Sequence, residues 1–144
     1  MIRKEALQNV LVEGRRLSSD QYHKHCRGNH VKTFYFFCLR LSSAPSNTAL
    51  SSTELNEFIL DELRRRKVDG VTDQFNPQGW FGQAWTDWKD PSKNEKHFRE
   101  EYYDVLIRTG DDPYFYQINP EYFGMVKEIF QDFEAGPKPP GAGQ

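Results

Sequence analysis

The sequence predicts an α+β fold that is mostly helical, with one β-hairpin and a C-terminal helix. Several segments repeat apolar residues at spacings of three and four, which indicates amphipathic helices. Two short runs of aromatic and β-branched residues flank a turn-rich loop at residues 109–113, which indicates a hairpin. The 144 residues are 15 % aromatic, which is enough large apolar surface for one hydrophobic core.

The first predicted helix spans residues 3–13. It places four apolar side chains on one face, namely Ala6, Leu7, Val10 and Leu11. Gly14 is predicted to end this helix, because glycine is common just past helix C-termini. Ser18 or Ser19 is predicted to cap a short second helix that runs through Tyr22 and His25.

Residues 31–41 fit two periodicities. Five of them share a helical face, namely Val31, Phe34, Tyr35, Cys38 and Leu41. Phe34, Phe36 and Cys38 also alternate as in a strand, and their residue types favour strands. We predict a helix, because the helical match extends over the whole of residues 31–41.

A loop is predicted over residues 42–53, which are rich in Ser, Ala, Pro, Asn and Thr. The next helix begins with a capping box, since Ser51 and Glu54 have the required spacing. Its apolar stripe consists of Leu55, Phe58, Ile59 and Leu63. The helix ends in Arg64, Arg65, Arg66 and Lys67, which complement the negative end of the helix dipole.

Asn76-Pro77 predicts the start of a further helix over residues 77–88. The hairpin strands are predicted at 103–108 and 114–118, and Asn119-Pro120 starts the last helix. The apolar side of that helix carries Tyr122, Phe123, Val126, Ile129, Phe130 and Phe133. We expect one globular domain over residues 1–135, followed by a flexible tail at 136–144. The domain divides into a helical extension (1–30), a core (31–120) and a C-terminal helix (121–135).

From residue 31 the predicted order is helix, loop, helix, helix, strand, turn, strand, helix. This order resembles a winged-helix domain with a C-terminal helical extension, over about residues 31–120. The resemblance implies a helix-turn-helix whose later helix enters the DNA major groove, with the hairpin as the wing. The helix in the recognition position, 77–88, offers Gln78 and Gln83 but no Arg, the commonest reader of guanine. Asp111 and Asp112 at the wing tip repel phosphate, which suits a protein-interaction module better.

The net charge of −2 is unevenly distributed along the chain. Residues 1–67 carry 12 Lys and Arg against 7 Asp and Glu, whereas residues 68–144 carry 7 against 14. A basic half is typical of polyanion-binding proteins, although two solvated faces of different charge give the same pattern. The candidate phosphate-binding residues are Arg15, Arg16, Lys24, Arg27, Lys32, Arg64, Arg65, Arg66 and Lys67, and the candidate base contacts are Gln78 and Gln83.

A cluster of His23, His25, Cys26 and His30 lies within eight residues, and such side chains bind zinc. Its spacing matches no zinc pattern and Lys24 disfavours a cation, so we expect a solvent-facing basic segment without a metal. The sequence contains no phosphate-binding loop, no dinucleotide-binding fingerprint and no nucleophile motif. We therefore expect no enzyme activity and no cofactor.

The sequence has no apolar run that approaches the roughly 18 residues of a membrane span. The N-terminus lacks the apolar core of a signal peptide. Two cysteines, Cys26 and Cys38, are too few for a disulfide framework. We expect a cytoplasmic protein with reduced thiols and no membrane contact.

These observations favour a non-enzymatic interaction domain, a protein-binding adaptor or assembly factor that contacts a partner or forms a dimer. The candidate contact residues are Trp80, Trp88, Tyr122 and Phe130, because aromatic side chains are enriched at interfaces. The alternative is a winged-helix DNA-binding regulator that uses the basic first half of the chain.

Overall fold

The computed structural model describes residues 3–18, 26–68 and 105–135, and it describes only the backbone of residues 26–30. These ranges contain α1 (Lys4–Leu17), α2 (Cys26–Ser42), β1 (Leu50–Ser51), α3 (Ser52–Arg65), β2 (Leu106–Gly110), β3 (Tyr114–Ile118) and α4 (Pro120–Ala135). The predicted fold class is confirmed, since the protein is a mostly helical α+β fold with a hairpin and a C-terminal helix. The predicted short helix before residue 26, the helix at 77–88 and the tail at 136–144 lie outside the described residues.

Helix α1 continues through Gly14, which corrects the prediction that this glycine ends the helix. A Cβ added at Gly14 would lie 2.5 Å from Tyr35 Cβ and 2.8 Å from the carbonyl oxygen of Val31. The missing side chain therefore lets α1 pack closely on α2. Ser18 forms the C-terminal cap of α1, and its hydroxyl donates to the Arg15 carbonyl oxygen over 2.6 Å.

Helix α2 runs through the core, and its predicted helical conformation is confirmed. Every side chain from Val31 to Cys38 is buried, on all sides of the helix. The helical repeat of a sequence is read from the alternation of an apolar face and a polar face. A helix that is buried on all sides lacks the polar face, so its sequence shows no clear 3.6-residue repeat. This explains why the sequence of this segment fits a strand pattern as well as a helical one.

The three strands form an antiparallel sheet in the order β1-β3-β2. β1 lies within the segment predicted as a loop, where Leu50 pairs with Tyr116 and Ser51 pairs with Phe115. Two residues are too few to show an alternating pattern, and their partners lie far away in the sequence. β2 ends at Gly110 rather than at Arg108, so the hairpin loop is shorter than predicted.

Helices α3 and α4 begin where the sequence predicts. The Ser51 hydroxyl accepts a hydrogen bond from the Glu54 amide at 3.1 Å, and the Glu54 carboxylate accepts one from the Ser51 amide at 3.2 Å. This reciprocal pair confirms the capping box. The Asn119 side chain accepts from the Glu121 amide at 3.1 Å and caps α4. The two helices bury Leu55, Ile59 and Leu63 on α3, and Tyr122, Val126, Ile129 and Phe130 on α4.

Candidate nucleic-acid interface

Six basic side chains of the described chain lie at the C-terminal ends of α1 and α3. We call these residues the basic surface, and they are Arg15, Arg16, Arg64, Arg65, Arg66 and Lys67. Tyr35 of α2 lies between the two helix ends, because it packs against Gly14 and its hydroxyl lies within the influence of the Arg66 charge. Burial raises the pKa of Tyr35, while the charges of Arg66 and Arg15 act in the opposite direction. Cations from two helices that are distant in sequence therefore act on the same tyrosine.

Arg66 is held firmly against the fold. Its guanidinium lies 5.4 Å from the centre of the Phe36 ring and pairs with the Glu62 carboxylate at 3.1 Å. The same guanidinium donates to the Glu62 carbonyl oxygen over 3.4 Å. Aromatic stacking and charge-assisted hydrogen bonds fix the plane of a guanidinium. Arg66 therefore joins the end of α3 to α2.

The preceding arginines point further into solvent. The Arg65 side chain is 73 % exposed and pairs with the nearly buried carboxylate of Glu62. The Arg64 side chain is 45 % exposed and lies 4.0 Å from the Asp61 carboxylate. An ion pair whose arginine is largely exposed holds that arginine only weakly, because water and salt screen its charge. Both side chains can therefore exchange these partners for an external anion.

Arg15 is oriented by an aromatic ring of α4. Its guanidinium lies 5.0 Å from the centre of the Phe133 ring. Phe133 packs edge-on against Phe130 at 5.4 Å between ring centres, and Phe130 packs on Tyr35 at 5.7 Å. Tyr35 in turn contacts Phe36, the ring beneath Arg66, so a continuous row of aromatic rings lies beneath Arg15 and Arg66.

Helix α3 ends in a tight turn that directs Lys67 away from the core. The Lys67 amide donates to the Arg64 carbonyl oxygen and the Val68 amide donates to the Leu63 carbonyl oxygen, each over 3.0 Å. This is the Schellman arrangement, in which glycine is the usual residue at the left-handed position. Lys67 occupies that position here with φ 55° and is exposed. A cation therefore stands at the end of the helix, where it complements the dipole.

Several of the predicted phosphate-binding residues are not available at this surface. Lys32 is completely buried in α2, which corrects its assignment as a phosphate contact. Lys24, Gln78, Gln83 and the side chain of Arg27 lie outside the described residues.

The predicted partner-binding residues on α4 are core residues. Tyr122 is 3 % exposed and Phe130 is 7 % exposed, so neither presents a contact surface to a partner. An amphipathic stripe has the same sequence pattern whether it packs within the chain or on another molecule. Trp80 and Trp88 lie outside the described residues.

The hairpin has a different electrostatic character. Asp111 and Asp112 are exposed at its tip. Arg108 of β2 is turned towards the sheet, where its guanidinium lies 3.9 Å from the centre of the Tyr114 ring. Arg108 also hydrogen-bonds to the buried Tyr116, whose pKa is raised by burial. The tip is therefore acidic, and the one cation of the hairpin strands packs within the hairpin.

The described side chains include one cysteine and no cluster of metal-ligand residues. Cys38 is a free thiol, and burial raises its pKa far above the usual range, so it is not a thiolate at neutral pH. No three His, Cys, Asp or Glu side chains of the described ranges lie close enough together to hold a metal ion. His23, His25, Cys26 and His30 contribute no described side chain. No helix in the described part of the chain has the length and apolar character to cross a membrane.

A shallow groove of about 260 Å³ lies between α2 and α4. Leu39, Phe130, Lys127 and Glu134 contribute to its walls. The hydroxyl of Ser43 at its edge donates to the Arg40 carbonyl oxygen over 2.7 Å. One cation beside one carboxylate gives this groove no clear preference for an anion or a cation.

Sequence reasoning did not identify Glu62, Tyr35 and Phe36 as parts of this surface. The sequence does contain a signal for Glu62, which lies three and four positions before Arg65 and Arg66. Acidic and basic residues at these spacings are neighbours on a helix. Tyr35 and Phe36 gave no such signal, since they follow the same apolar pattern as the rest of α2. No protein-family model, no curated protein and no solved structure matches this chain.

Proposed function

We propose that this chain is a non-enzymatic domain that binds the phosphate backbone of nucleic acid through its basic surface. The observation that carries the proposal is the convergence of arginines from α1 and α3 around Tyr35. Arginine is suited to phosphate because its planar fork donates two parallel hydrogen bonds. The domain would thus be positioned on a duplex by backbone contacts.

The charge balance of the surface supports a polyanion as the partner. Among the described residues, its six cations outnumber the acidic residues next to them on the same helices, which are Glu13 on α1 and Asp61 and Glu62 on α3. The aromatic rings beneath Arg15 and Arg66 fix these guanidiniums before a ligand arrives, which reduces the entropy lost on binding.

The proposal includes a winged-helix arrangement. The order α2, β1, α3 and the β2–β3 hairpin supports it. The helix expected to enter the major groove, residues 77–88, lies outside the described residues. We also place the protein in the cytoplasm, and the free thiol of Cys38 supports that location.

A protein-binding adaptor is the second candidate function. Two observations favour it, since Phe115 on the outward face of the sheet is 38 % exposed and the solvent side of α4 is acidic. The exposed acidic residues of α4 are Glu121, Glu128, Asp132 and Glu134. Two of them pair with Lys4 of α1, Glu128 at 2.6 Å and Asp132 at 3.4 Å. An acidic helix face and an exposed aromatic ring are suited to a basic protein partner.

The purified protein is expected to bind a labelled mixed-sequence DNA duplex at low salt, and raising the salt is expected to weaken that binding steeply. Phosphate contacts release condensed counterions, so four contacts predict an affinity loss of about 100-fold between 50 and 200 mM salt. Fluorescence anisotropy over a salt series measures the slope directly. A matched series with a neutral polymer controls for non-specific adsorption.

Absence of binding at the lowest salt would contradict the nucleic-acid proposal and leave the adaptor as the leading candidate. Binding that is independent of salt would also contradict it, because such binding would not depend on phosphate.

A further inference from the structure

A nearly buried carboxylate lies among the cations of the basic surface. The Glu62 side chain is 7 % exposed, and its two oxygens serve different arginines. Oε2 pairs with Arg65, and Oε1 pairs with Arg66 at 3.1 Å. Charged groups with this little exposure are generally paired in folded proteins, because removing a lone charge from water is costly. Each of the two arginines therefore pairs with a different oxygen of the same carboxylate.

The two arginines differ in how many other contacts hold them. Arg66 also lies over the Phe36 ring and donates to the Glu62 carbonyl oxygen, and its side chain is 21 % exposed. Arg65 is 73 % exposed, and within the part of the chain that the structure describes its recorded contact is Glu62. Moving Arg66 breaks several interactions, whereas moving Arg65 breaks one. An incoming anion therefore meets one fixed arginine and one exchangeable arginine.

We infer that Glu62 is an internal counter-anion that competes with nucleic-acid phosphate for Arg65, while Arg66 holds the Glu62 carboxylate in place. This inference rests on the proposed function of the basic surface. Phosphate binding transfers the Arg65 guanidinium from Glu62 to a phosphate oxygen, and Glu62 then relies on Arg66 alone. Glu62 thus sets the strength of binding without touching the nucleic acid.

The Glu62→Gln variant removes the negative charge of this side chain and keeps its size and shape. Glutamine keeps an oxygen that accepts from Arg66 but offers no negative charge to hold Arg65. We expect duplex affinity at low salt to rise about 3- to 10-fold, and the salt dependence to steepen by up to about 0.9 in the logarithmic slope. The matched control is Glu57→Gln, which removes the same charge from an exposed position on the same helix. The control is expected to change affinity less than about 2-fold, because exposed charges are screened.

The pair of variants distinguishes failure of this inference from failure of the proposed function. If the wild-type protein binds the duplex and both variants behave alike, the nucleic-acid function stands and the role of Glu62 is wrong. If the wild-type protein does not bind at low salt, the proposed function itself is wrong, and the inference falls with it. A higher duplex affinity in Glu62→Gln, with none in Glu57→Gln, supports both the nucleic-acid function and the role of Glu62.

A measurement on the wild-type protein covers the case in which Glu62→Gln does not fold. Arginine Nε–H resonances are followed by NMR during titration with the same duplex. The Arg65 resonance is expected to shift on binding, and the Arg66 resonance is expected to stay in place. Equal shifts of the two resonances, or a shift of Arg66 alone, would overturn the division between a fixed and an exchangeable arginine.

Discussion

Replacing Gly14 with alanine is expected to destabilise the protein by about 2 kcal/mol, although alanine is the better helix former. The added Cβ would lie 2.5 Å from Tyr35 Cβ and 2.8 Å from the Val31 carbonyl oxygen. Both atoms belong to or adjoin the α2 backbone, so they cannot yield by a side-chain rotation. Helix α1 must move away from α2, and the cost of that movement exceeds the roughly 1 kcal/mol of helix propensity gained. Urea denaturation measures the change in the free energy of unfolding.

Gly124 provides a matched control for this substitution. It lies in the middle of α4, it is exposed, and a Cβ placed there meets no atom within 4 Å. Gly124→Ala is expected to stabilise the protein by about 0.5–1 kcal/mol, because only the helix propensity changes. Opposite signs for the same substitution in two helices would confirm the close approach of α1 and α2. A stabilising effect at both positions would contradict it.

Removing the four most exposed arginines of the basic surface is expected to lower duplex affinity by about 100-fold or more at low salt. The variant is Arg15→Ala, Arg16→Ala, Arg64→Ala and Arg65→Ala. It leaves Arg66 in place, because that side chain holds α3 against Phe36 and Tyr35. Alanine is the strongest helix former, so the helices are preserved. Each lost phosphate contact is also expected to flatten the logarithmic salt slope by about 0.9.

The control removes cations from another part of the surface. Arg40→Ala with Lys127→Ala alters α2 and α4 beside the groove, away from the ends of α1 and α3. This double variant is expected to keep the wild-type salt slope to within about one unit. If the control weakens binding as much as the four-arginine variant does, the total charge of the protein matters and the basic surface is not a specific site. Circular dichroism of both variants checks that they are folded.

The elements that the sequence predicts well are those with a local physical signal. Ser51 and Glu54 satisfy each other's neighbouring backbone groups, and Asn119 caps a helix that begins with proline. These interactions span two or three residues, so their spacing is visible in the sequence. The end of α1 was misplaced because a glycine at a helix end and a glycine at a helix crossing have the same sequence signature. Strand β1 was missed because its two residues are set by pairing with β3, more than sixty positions later.

The sequence predicts which basic residues form the candidate site better than it predicts how they are arranged in space. The arginines at the ends of α1 and α3 were identified as phosphate ligands, but their approach to Tyr35 depends on the packing of three helices. Lys32 was assigned to the surface from its charge alone, whereas the helix that carries it is buried on all sides. Tyr122 and Phe130 were assigned to a partner interface, because nothing in an apolar stripe distinguishes a partner from the protein's own core.

The most direct test of the central claim is to map the duplex contact by NMR, using the backbone amide resonances of the wild-type protein during titration with a short DNA duplex. If the basic surface binds phosphate, the largest shifts among the described residues will fall at 15–18 and 64–68, at the ends of α1 and α3. The acidic hairpin tip at 111–113 and the first turn of α4 at 120–123 will remain unchanged, because the exposed carboxylates of Asp111, Asp112 and Glu121 repel the duplex. Shifts concentrated at the hairpin tip or on α4, with none at the ends of α1 and α3, would contradict the assignment of the basic surface.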